Sequence, residues 1–443
     1  MTTRYAEQFQ AFQQDGARTA PSWVNDARRA AYQRFEAQGF PTTRDEDWHF
    51  TSPSPIVERD FTFVAARTGD VTAADVASFG FGADDWHTAV FVNGRFEASL
   101  SSLARLGSGG RVLSLAEAWT TAPELAKRVG TVLTQPGAFT SLNSAFMPDG
   151  AVVHVAKDVT VQRPVHLLFI TDANAAKNVI HPRNLIVAER GAKVTVIESH
   201  VSLGDAEHFT NAVTEVSVGD GSTVEHYKVQ REGRRAYHVG TVEAVQGRDS
   251  HFVSFSFATG AALSRTNIYA RLAGAGCGAT LNGLYMLDGE QHCDHQTRIE
   301  HVEPNCFSRE VYKGVLDDRS HGVFNGKVYV HPEAQKTDGK QTNNTLLLSP
   351  DAQVDTKPQL EIFADDVKCT HGATVGKLDE MALFYMKSRG VNADTAKRLL
   401  IYAFAADVLE MIEQPEVRES LERETLERFI AREEELVLSS RGA

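Results

Sequence analysis

A short motif recurs along the middle of this 443-residue chain at a nearly constant spacing. Each copy has a turn residue, a small residue and a polar residue before an apolar strand start: Gly191-Ala-Lys-Val, Gly221-Ser-Thr-Val, Asp249-Ser-His-Phe and Gly278-Ala-Thr-Leu. The starts differ by 30, 28 and 29 residues, and weaker copies at Arg319 and Asp351 follow after 41 and 32 residues, which indicates insertions in the later turns. Because a single turn cannot bury its own apolar face, this spacing predicts stacked coils.

The chain between these copies consists of short runs rich in Val, Ile, Thr and Phe, which are typical of strands. We therefore predict that the middle of the chain, from about Val90 to residue 376, is all-β and forms a parallel β-helix. A sandwich with regular hairpins remains the alternative, because Asn325-Gly326 is typical of a hairpin turn.

Helical signals flank this region on both sides. Ser22 is a suitable N-cap for a helix with Trp23 and Phe35 on one face, and Gly39 supplies its end. After Asp379 a helix is predicted to run to Gly390. We accordingly divide the chain into an N-terminal helical region (1–89), a β-helix core (90–376) and a C-terminal helical region (377–443).

Two further helices are predicted in the C-terminal region. Asn392 can cap the first, and its run Leu399 to Ala406 is apolar on every face, so it must be buried in the core or against another subunit. The second, Glu416 to Glu435, is charged, with Glu424 and Arg428 at the supportive i,i+4 spacing, and we interpret it as a solvated tail helix.

Composition and charge narrow the classes of partner. A 42% hydrophobic and 23% charged chain is an ordinary globular protein, and a net charge of −13 disfavours nucleic acid and anionic membranes. No apolar run approaches the 18 or so residues of a membrane span, and Met1 to Gly16 lacks a signal-peptide core. A cytoplasmic location follows as the default, where the four cysteines should be thiols and candidates for chemistry.

Several nucleotide and metal motifs are missing from the sequence. No GxxxxGK[ST] phosphate loop, convincing GxGxxG, HExxH or CxxC occurs, which argues against ATP hydrolysis by this chain. The densest soft-ligand cluster is His292-Cys293-Asp294-His295, followed by His301 and Cys306. On a strand, alternate residues of this cluster point to opposite faces, so hydrogen-bonded structural residues are the preferred interpretation and a metal site the alternative.

Two pairs of adjacent carboxylates, Asp317-Asp318 and Asp365-Asp366, could support glycoside chemistry on a β-helix. Adjacent residues on a strand diverge, however, so a structural role in loops is the better interpretation.

Cys369 and His371 are the remaining candidates. They are two residues apart, so a strand would direct both to one face, where a thiolate and an imidazole could hold one iron or one cluster edge. The neighbouring Lys368 is expected to lower the pKa of the thiol. Two ligands cannot complete a site, so the others would have to come from another chain.

The sequence around these two residues resembles the signature of the SufB/SufD family of iron–sulfur cluster assembly proteins. It reads Pro358-Gln-Leu-Glu-Ile-Phe-Ala-Asp-Asp-Val-Lys-Cys-Thr-His-Gly-Ala-Thr-Val-Gly376. Other stretches are similar to the family as well: Gly322-Val-Phe-Asn-Gly-Lys-Val-Tyr-Val330, Ala334-Gln-Lys-Thr-Asp338, Thr345-Leu-Leu-Leu-Ser349, Leu383-Phe-Tyr-Met-Lys-Ser-Arg-Gly390 and the segment from Gly39 to Trp48. The terminal motif is closer to the SufD branch than to the SufB branch, which carries an acidic, histidine-rich version.

The resemblance implies a mainly β fold, with a right-handed parallel β-helix core between N-terminal and C-terminal helical regions. It implies a non-catalytic subunit of the SUF assembly complex that pairs with a SufB-like paralogue and docks a SufC-like ABC ATPase through its C-terminal helices. Candidate docking residues there are Leu383, Phe384, Tyr385, Leu400 and Phe404.

Carried over by motif, Cys369 and His371 would face the paralogue and admit iron or hold the nascent cluster. The isolated chain should bind no cofactor stably, with iron or a cluster held transiently in the complex. Binding of reduced flavin and formation of a homodimer stay open. Two rival functions are a stand-alone metal-binding protein centred on His292 to Cys306 and a β-helix carbohydrate-active enzyme with an aromatic-lined groove.

Overall fold

Two long β-sheets face each other through most of the chain. The computed structural model describes residues 2–15, 20–63, 69–82, 85–103, 109–134 and 136–441. The N-terminal elements are α1 (Thr2–Asp15), α2 (Ser22–Gln38), α3 (Ser54–Val57), β1 (Thr62–Phe63), α4 (Ala73–Ser78), β2 (His87–Val92), β3 (Arg95–Phe96), β4 (Gly110–Ser114), α5 (Leu115–Thr121), α6 (Pro123–Ala126) and α7 (Ala138–Phe146).

The central strands follow one another with short connections. They are β5 (Ala151–Val155), β6 (Val165–Thr171), β7 (Asn178–Ile180), β8 (Arg183–Ala188), β9 (Lys193–Ser202), β10 (Phe209–Val218), β11 (Thr223–Arg231), β12 (Tyr237–Gln246), β13 (His251–Ala258), β14 (Leu263–Leu272), β15 (Gly278–Leu287), β16 (His292–His301), β17 (Phe307–Leu316), β18 (His321–Val330), β19 (Asp338–Leu347), β20 (Gln353–Ile362) and β21 (Lys368–Gly376). Helices α8 (Glu380–Ser388), α9 (Ala393–Leu409) and α10 (Pro415–Arg441) follow them.

Successive strands alternate between the two sheets. Sheet A has the order β20-β18-β16-β14-β12-β10-β8-β5-β4, and sheet B has the order β21-β19-β17-β15-β13-β11-β9-β6-β2-β3. From β8 onward all pairings within both sheets are parallel and in register. This is a parallel β-solenoid of about eight turns, which confirms the predicted mainly β fold with helices at both ends and excludes the sandwich.

The recurring motif marks one corner of each coil, where a residue adopts a left-handed backbone conformation. The positive φ angles lie at Gly191 (68°), Gly221 (64°), Asp249 (52°), Gly276 (76°), Asn305 (62°) and Lys336 (64°). The fourth copy therefore starts at Gly276, two residues before the predicted Gly278. Arg319 and Asp351 precede β18 and β20, which belong to sheet A, whereas the other copies precede strands of sheet B. They are therefore not part of this series, so the predicted insertions were wrong and the spacing stays close to 30 residues.

Apolar side chains fill one half of the space between the sheets. In sheet A the inward positions stack in register from Ile186 through Val216, Ala244, Ala270 and Ile299, and all five are buried. Sheet B contributes a facing set that includes Val194, Val224, Phe252, Ala279 and Leu281. Each coil thus buries its apolar face only because its neighbours cover it.

Three local predictions need correction. Asn325-Gly326 is no hairpin turn, because both residues lie inside the buried strand β18. Residues 115–146 contain the helices α5, α6 and α7, so the chain is not β throughout after Val90. Ser22 is the first residue of α2 rather than its N-cap, which is Pro21, whereas Gly39 ends the helix as predicted. The domain boundaries themselves stay predictions.

The C-terminal helices cover the outer face of sheet B. Ile401, Ala405 and Val408 of α9, with Leu421 of α10, are buried against strands of this sheet. Asn392 caps α9 as predicted, with its side chain accepting the backbone N–H of Thr395. The run from Leu399 to Ala406 is therefore buried on one side only.

Helix α10 is not a solvated tail in its first half. Glu424 pairs with Arg231 of β11 (3.2 Å), and Arg428 donates to Asp288 (2.9 Å) rather than serving only as an i,i+4 partner of Glu424. These contacts fix the start of α10 on the solenoid. Side chains from residue 429 onward lie outside the described residues.

Candidate functional site

The last coil of the solenoid, formed by β20 and β21, is called the open end here. Among the described residues, β20 pairs only with β18 and β21 only with β19. The backbone N–H of Lys368 donates to Thr337 of the preceding coil (2.8 Å). In a parallel ladder successive residues point their N–H and C=O groups to opposite sides of the strand. Cys369 and every second residue after it therefore direct these groups away from β19. The open end thus presents a free strand edge on each sheet.

The inward side of β21 continues columns of buried side chains. In β19 the buried inward residues are Gly339, Gln341, Asn343 and Thr345. Their register partners in β21 are, in the same order, Cys369, His371, Ala373 and Val375. Because no further coil covers β21, these positions are half-buried or exposed although they face the same side as the core. Cys369 and His371 therefore share a strand face at the open end.

Cys369 is the more enclosed of the two candidate ligands. Its side chain packs beside Val328, Val330 and Ala364, and its Sγ lies 3.3 Å from where a Cβ on Gly339 would be, so a glycine there leaves room for the sulfur. Burial raises the pKa of the Cys369 thiol, and this outweighs a backbone hydrogen bond from Gly339. The predicted lowering of this pKa by Lys368 is therefore wrong.

The residues from His292 to His295 of the sequence cluster are divided between the two faces of β16. His292 and Asp294 face outward, where the Thr51 hydroxyl contacts both, at 2.9 Å and 2.6 Å. Cys293 and His295 face inward, with Sγ and Nδ1 3.7 Å apart. The predicted alternation is thus confirmed.

His301 and Cys306 lie elsewhere again. His301 contacts the Ser308 hydroxyl (3.0 Å), and the thiol of Cys306 donates to the Gly274 carbonyl (3.4 Å) beside Cys277. Within the part of the chain that the structure describes, no three His, Cys, Asp or Glu side chains are grouped as a metal site would require. The residues from His292 to Cys306 do not form a single centre.

A buried ionic cluster inside the middle coils was missed by sequence reasoning. The Glu198 carboxylate accepts hydrogen bonds from His200 (2.8 Å), Thr214 (2.6 Å), His226 (3.1 Å) and Lys228 (3.1 Å), and all of these residues are buried. Burial acts to raise the pKa of Glu198, but Lys228 and the two histidines hold it well below its usual value. The only signal in the sequence was polar residues at alternate strand positions.

A second carboxylate, Glu232, extends this cluster. It accepts from Thr210 (2.6 Å), Gln230 (3.0 Å) and His238 (2.7 Å), and its pKa is likewise held low against the effect of burial. Both oxygens of each carboxylate accept hydrogen bonds from buried side chains. Such groups specify packing rather than chemistry.

A groove of about 680 Å³ lies on the outer face of sheet A, beneath the segment from Gly39 to Trp48. Arg265 stacks on Trp48 (3.9 Å) and donates to Asp294 (2.5 Å), and Glu46 reaches Lys357 of the open end (2.9 Å). Aromatic side chains line part of this groove, as the carbohydrate-active rival expects. The carboxylates that this rival would use lie elsewhere, because Asp317, Asp318, Asp365 and Asp366 are in connections between strands and do not line the groove.

The C-terminal helices carry an exposed apolar patch, formed by Met381, Phe384, Tyr385 and Leu399, whose side chains are between 45% and 73% exposed. We call this the helical patch. Two predicted docking residues, Phe384 and Tyr385, belong to it, whereas Leu383 and Leu400 are half-buried.

Phe404, also predicted to dock, is turned toward the solenoid. Its ring lies under the Lys313 ammonium at 4.7 Å, and its carbonyl accepts from the same group at 2.9 Å.

No helix among the described residues has both the length and the apolar character of a membrane span. The helical patch is thus a localised surface feature of α8 and α9.

Comparison with known proteins gives matches along nearly the whole chain. The model of the SufBD core domain of the SUF iron–sulfur cluster assembly system matches residues 169–404, and that of the SufBD N-terminal region matches residues 1–167. The chain is 33% identical over 420 residues to the iron–sulfur cluster assembly protein SufD of Escherichia coli, covering 94% of both chains.

Two other relatives agree with these matches. A SufBD family iron–sulfur cluster assembly protein of Synechocystis is 32% identical over 409 residues, which cover 89% of this chain and 88% of the relative. SufD of Bacillus subtilis is 32% identical over 277 residues, covering 61% of this chain and 62% of its own.

Proposed function

The chain belongs to the SufBD family of iron–sulfur cluster assembly proteins and is SufD-like, and from this premise we propose that it is a non-catalytic subunit of a SUF assembly complex. The observation that carries the proposal is the open end. There two soft ligands, Cys369 and His371, share the inward face of a strand that has a free edge. A site and a pairing surface therefore coincide.

The open end supports pairing with a SufB-like paralogue. Long free strand edges are rare in isolated proteins because they invite pairing with another chain. Pro358 in β20 lies where its missing N–H costs no bond to β18, whereas β21 has no proline and keeps its outward donors. The exposed Phe363 and Val375 add apolar area beside this edge. A homodimer through the same edge is the alternative outcome.

The helical patch supports docking of a SufC-like ABC ATPase. Its apolar side chains lie on α8 and on the solvent side of α9, whose other side is anchored to sheet B. An exposed apolar patch of this kind marks a protein interface more often than a free surface. A chain without its own phosphate loop would then receive mechanical work from the ATPase.

Iron or a nascent cluster is the cargo of the proposed site. The His371 imidazole can bind iron without losing a proton, whereas the Cys369 thiol must first ionise, and its pKa is raised by burial. Two protein ligands leave most positions open, so the paralogue would supply the others. A cytoplasmic location, the absence of a stably bound cofactor and the binding of reduced flavin stay predictions.

The two surfaces can be tested against each other by co-purification of the tagged chain with both partners. Ala373→Pro removes an outward N–H of β21 and should abolish recovery of the paralogue while the ATPase is retained. Phe384→Asp places a charge in the helical patch and should do the reverse. Substitutions are preferable to deleting residues after Gly376, because deletion would expose the apolar outer face of sheet B.

Each variant is the control for the other in this experiment. Loss of both partners in one variant indicates misfolding, which thermal unfolding will show. Retention of the paralogue by Ala373→Pro would refute the assignment of the open end, and retention of the ATPase by Phe384→Asp would refute that of the helical patch.

A further inference from the structure

A pair of buried polar residues lies directly beneath His371. Glu310 of β17 and Gln341 of β19 are register partners, each about 1% exposed, and the Gln341 amide nitrogen donates to a carboxyl oxygen of Glu310 at 2.6 Å. The Gln341 carbonyl oxygen, Oε1, is buried and has no hydrogen-bond partner among the described residues. A buried unpaired acceptor costs free energy, so its retention calls for an explanation.

The opposite sheet is shaped to receive the Gln341 amide. Gly326 of β18 faces it, and a Cβ at this glycine would lie 2.2 Å from the Gln341 nitrogen. Any other residue at position 326 would displace the amide. The hydrogen bond to Glu310 then fixes which way the amide is turned, with its nitrogen toward the closed interior.

His371 is the next residue in the same inward column of sheet B, as the register partner of Gln341. We propose that the free carbonyl oxygen of Gln341 accepts the N–H of the His371 imidazole and so holds the ring as an iron ligand, with Glu310 fixing the orientation of the amide. Gln341 and Glu310 are thus positioning residues that touch no iron themselves.

The chemistry of metal-binding histidines explains why such a partner is needed. A ligating imidazole generally donates its second ring N–H to an oxygen, which selects the tautomer, orients the ring and strengthens the ligand. His371 is exposed on the last strand, so no packing from a further coil can orient it. The unpaired acceptor on the coil beneath is placed to supply that orientation when the ring binds iron.

This inference rests on the proposed function, and cobalt(II) titration of the full chain tests the two separately. Binding is followed by the visible absorption of the bound ion, and His371→Ala measures the share of the affinity that depends on this ligand. Gln341→Met keeps the volume of the side chain but removes the acceptor, and should weaken cobalt affinity by about 10- to 100-fold. Asn343→Leu, at the neighbouring buried inward position of β19, is the matched control and should leave the affinity nearly unchanged.

An exchanged pair guards against a purely structural effect. In the double variant Glu310→Gln with Gln341→Glu, the amide and carboxylate trade places, and a carboxylate oxygen faces His371 instead of the amide oxygen. Cobalt affinity should then return at least to the wild-type value. Thermal unfolding of all variants shows whether a loss of affinity merely follows a loss of stability.

The outcomes separate the inference from its premise. An unchanged affinity in His371→Ala means that His371 is not a ligand, and both fail. A loss in His371→Ala without a loss in Gln341→Met overturns the inference alone. Equal losses in Gln341→Met and Asn343→Leu, or no recovery in the exchanged pair, also overturn it.

Discussion

His226 and His371 lie in one column of sheet B and are connected by a series of register partners. His226, in the closed middle, is fully buried and donates to the Glu198 carboxylate. His371, at the open end, faces the same side but is exposed because the next coil is missing. The same residue type at the same column position is thus structural where coils enclose it and available for chemistry where they stop.

The largest effect that this comparison predicts follows from a substitution in the closed middle of the solenoid. Lys228→Met leaves the Glu198 carboxylate buried without its cation, and should lower the free energy of unfolding by about 3–5 kcal/mol. Chemical denaturation measures this loss. Adding Glu198→Gln should restore part of it, because no buried charge then remains.

Cluster production per folded complex should be unchanged in Lys228→Met. If Lys228→Met lowers the free energy of unfolding by less than about 1 kcal/mol, the buried ionic cluster around Glu198 is not structural, because ordinary surface substitutions have effects no larger than that.

A smaller effect is expected where the column passes from the closed middle to the open end. Burial raises the pKa of Glu310 from 4.5 to about 7, against the effect of its hydrogen bond with Gln341. Between these two pH values the folded protein keeps a proton that the unfolded chain has released. Its stability therefore falls as pH rises, by about 1.4 kcal/mol per pH unit from this group.

The variant Glu310→Gln cannot release this proton. The difference in unfolding free energy between wild type and variant, measured from pH 4.5 to 7, should follow that slope. A difference that is constant with pH would contradict the assignment of a neutral carboxyl in this column.

The sequence predicts the solenoid because its corners are local features. The left-handed residues at Gly191, Gly221 and Asp249 recur visibly, so the coil length follows from spacing alone. The fourth corner was misplaced because Gly276 and Gly278 are both glycines, and only the first has a positive φ. The weaker copies at Arg319 and Asp351 were assigned to the same series because they too precede strands, although those strands belong to sheet A.

Long-range pairing could not be predicted from the sequence. Alternation indicates that Glu198 and His226 each lie on one face of a strand, but it does not reveal that the two strands are neighbours in sheet B and turn these residues toward the same interior. Nor does it show which coil is last, and this decides the accessibility of His371.

Residue type alone does not reveal the structural part that a cysteine plays at a corner of the solenoid. The Cys277 thiol donates to the Gly274 carbonyl (2.8 Å), just as Ser250 donates to Gly247 (2.7 Å) and Ser222 to Gly219 (2.6 Å) at the preceding corners. The thiol of Cys277 takes the place of the serine hydroxyls at the two preceding corners.

The central claim, that the open end carries the function of the chain rather than its stability, is tested most directly on His371→Ala and Cys369→Ser. Thermal unfolding and cluster reconstitution by the assembled complex are measured on the same samples. Both variants should unfold within about 0.5 kcal/mol of wild type while cluster production falls, with the larger loss in His371→Ala. Reduced stability with undiminished cluster production per folded complex would contradict the account.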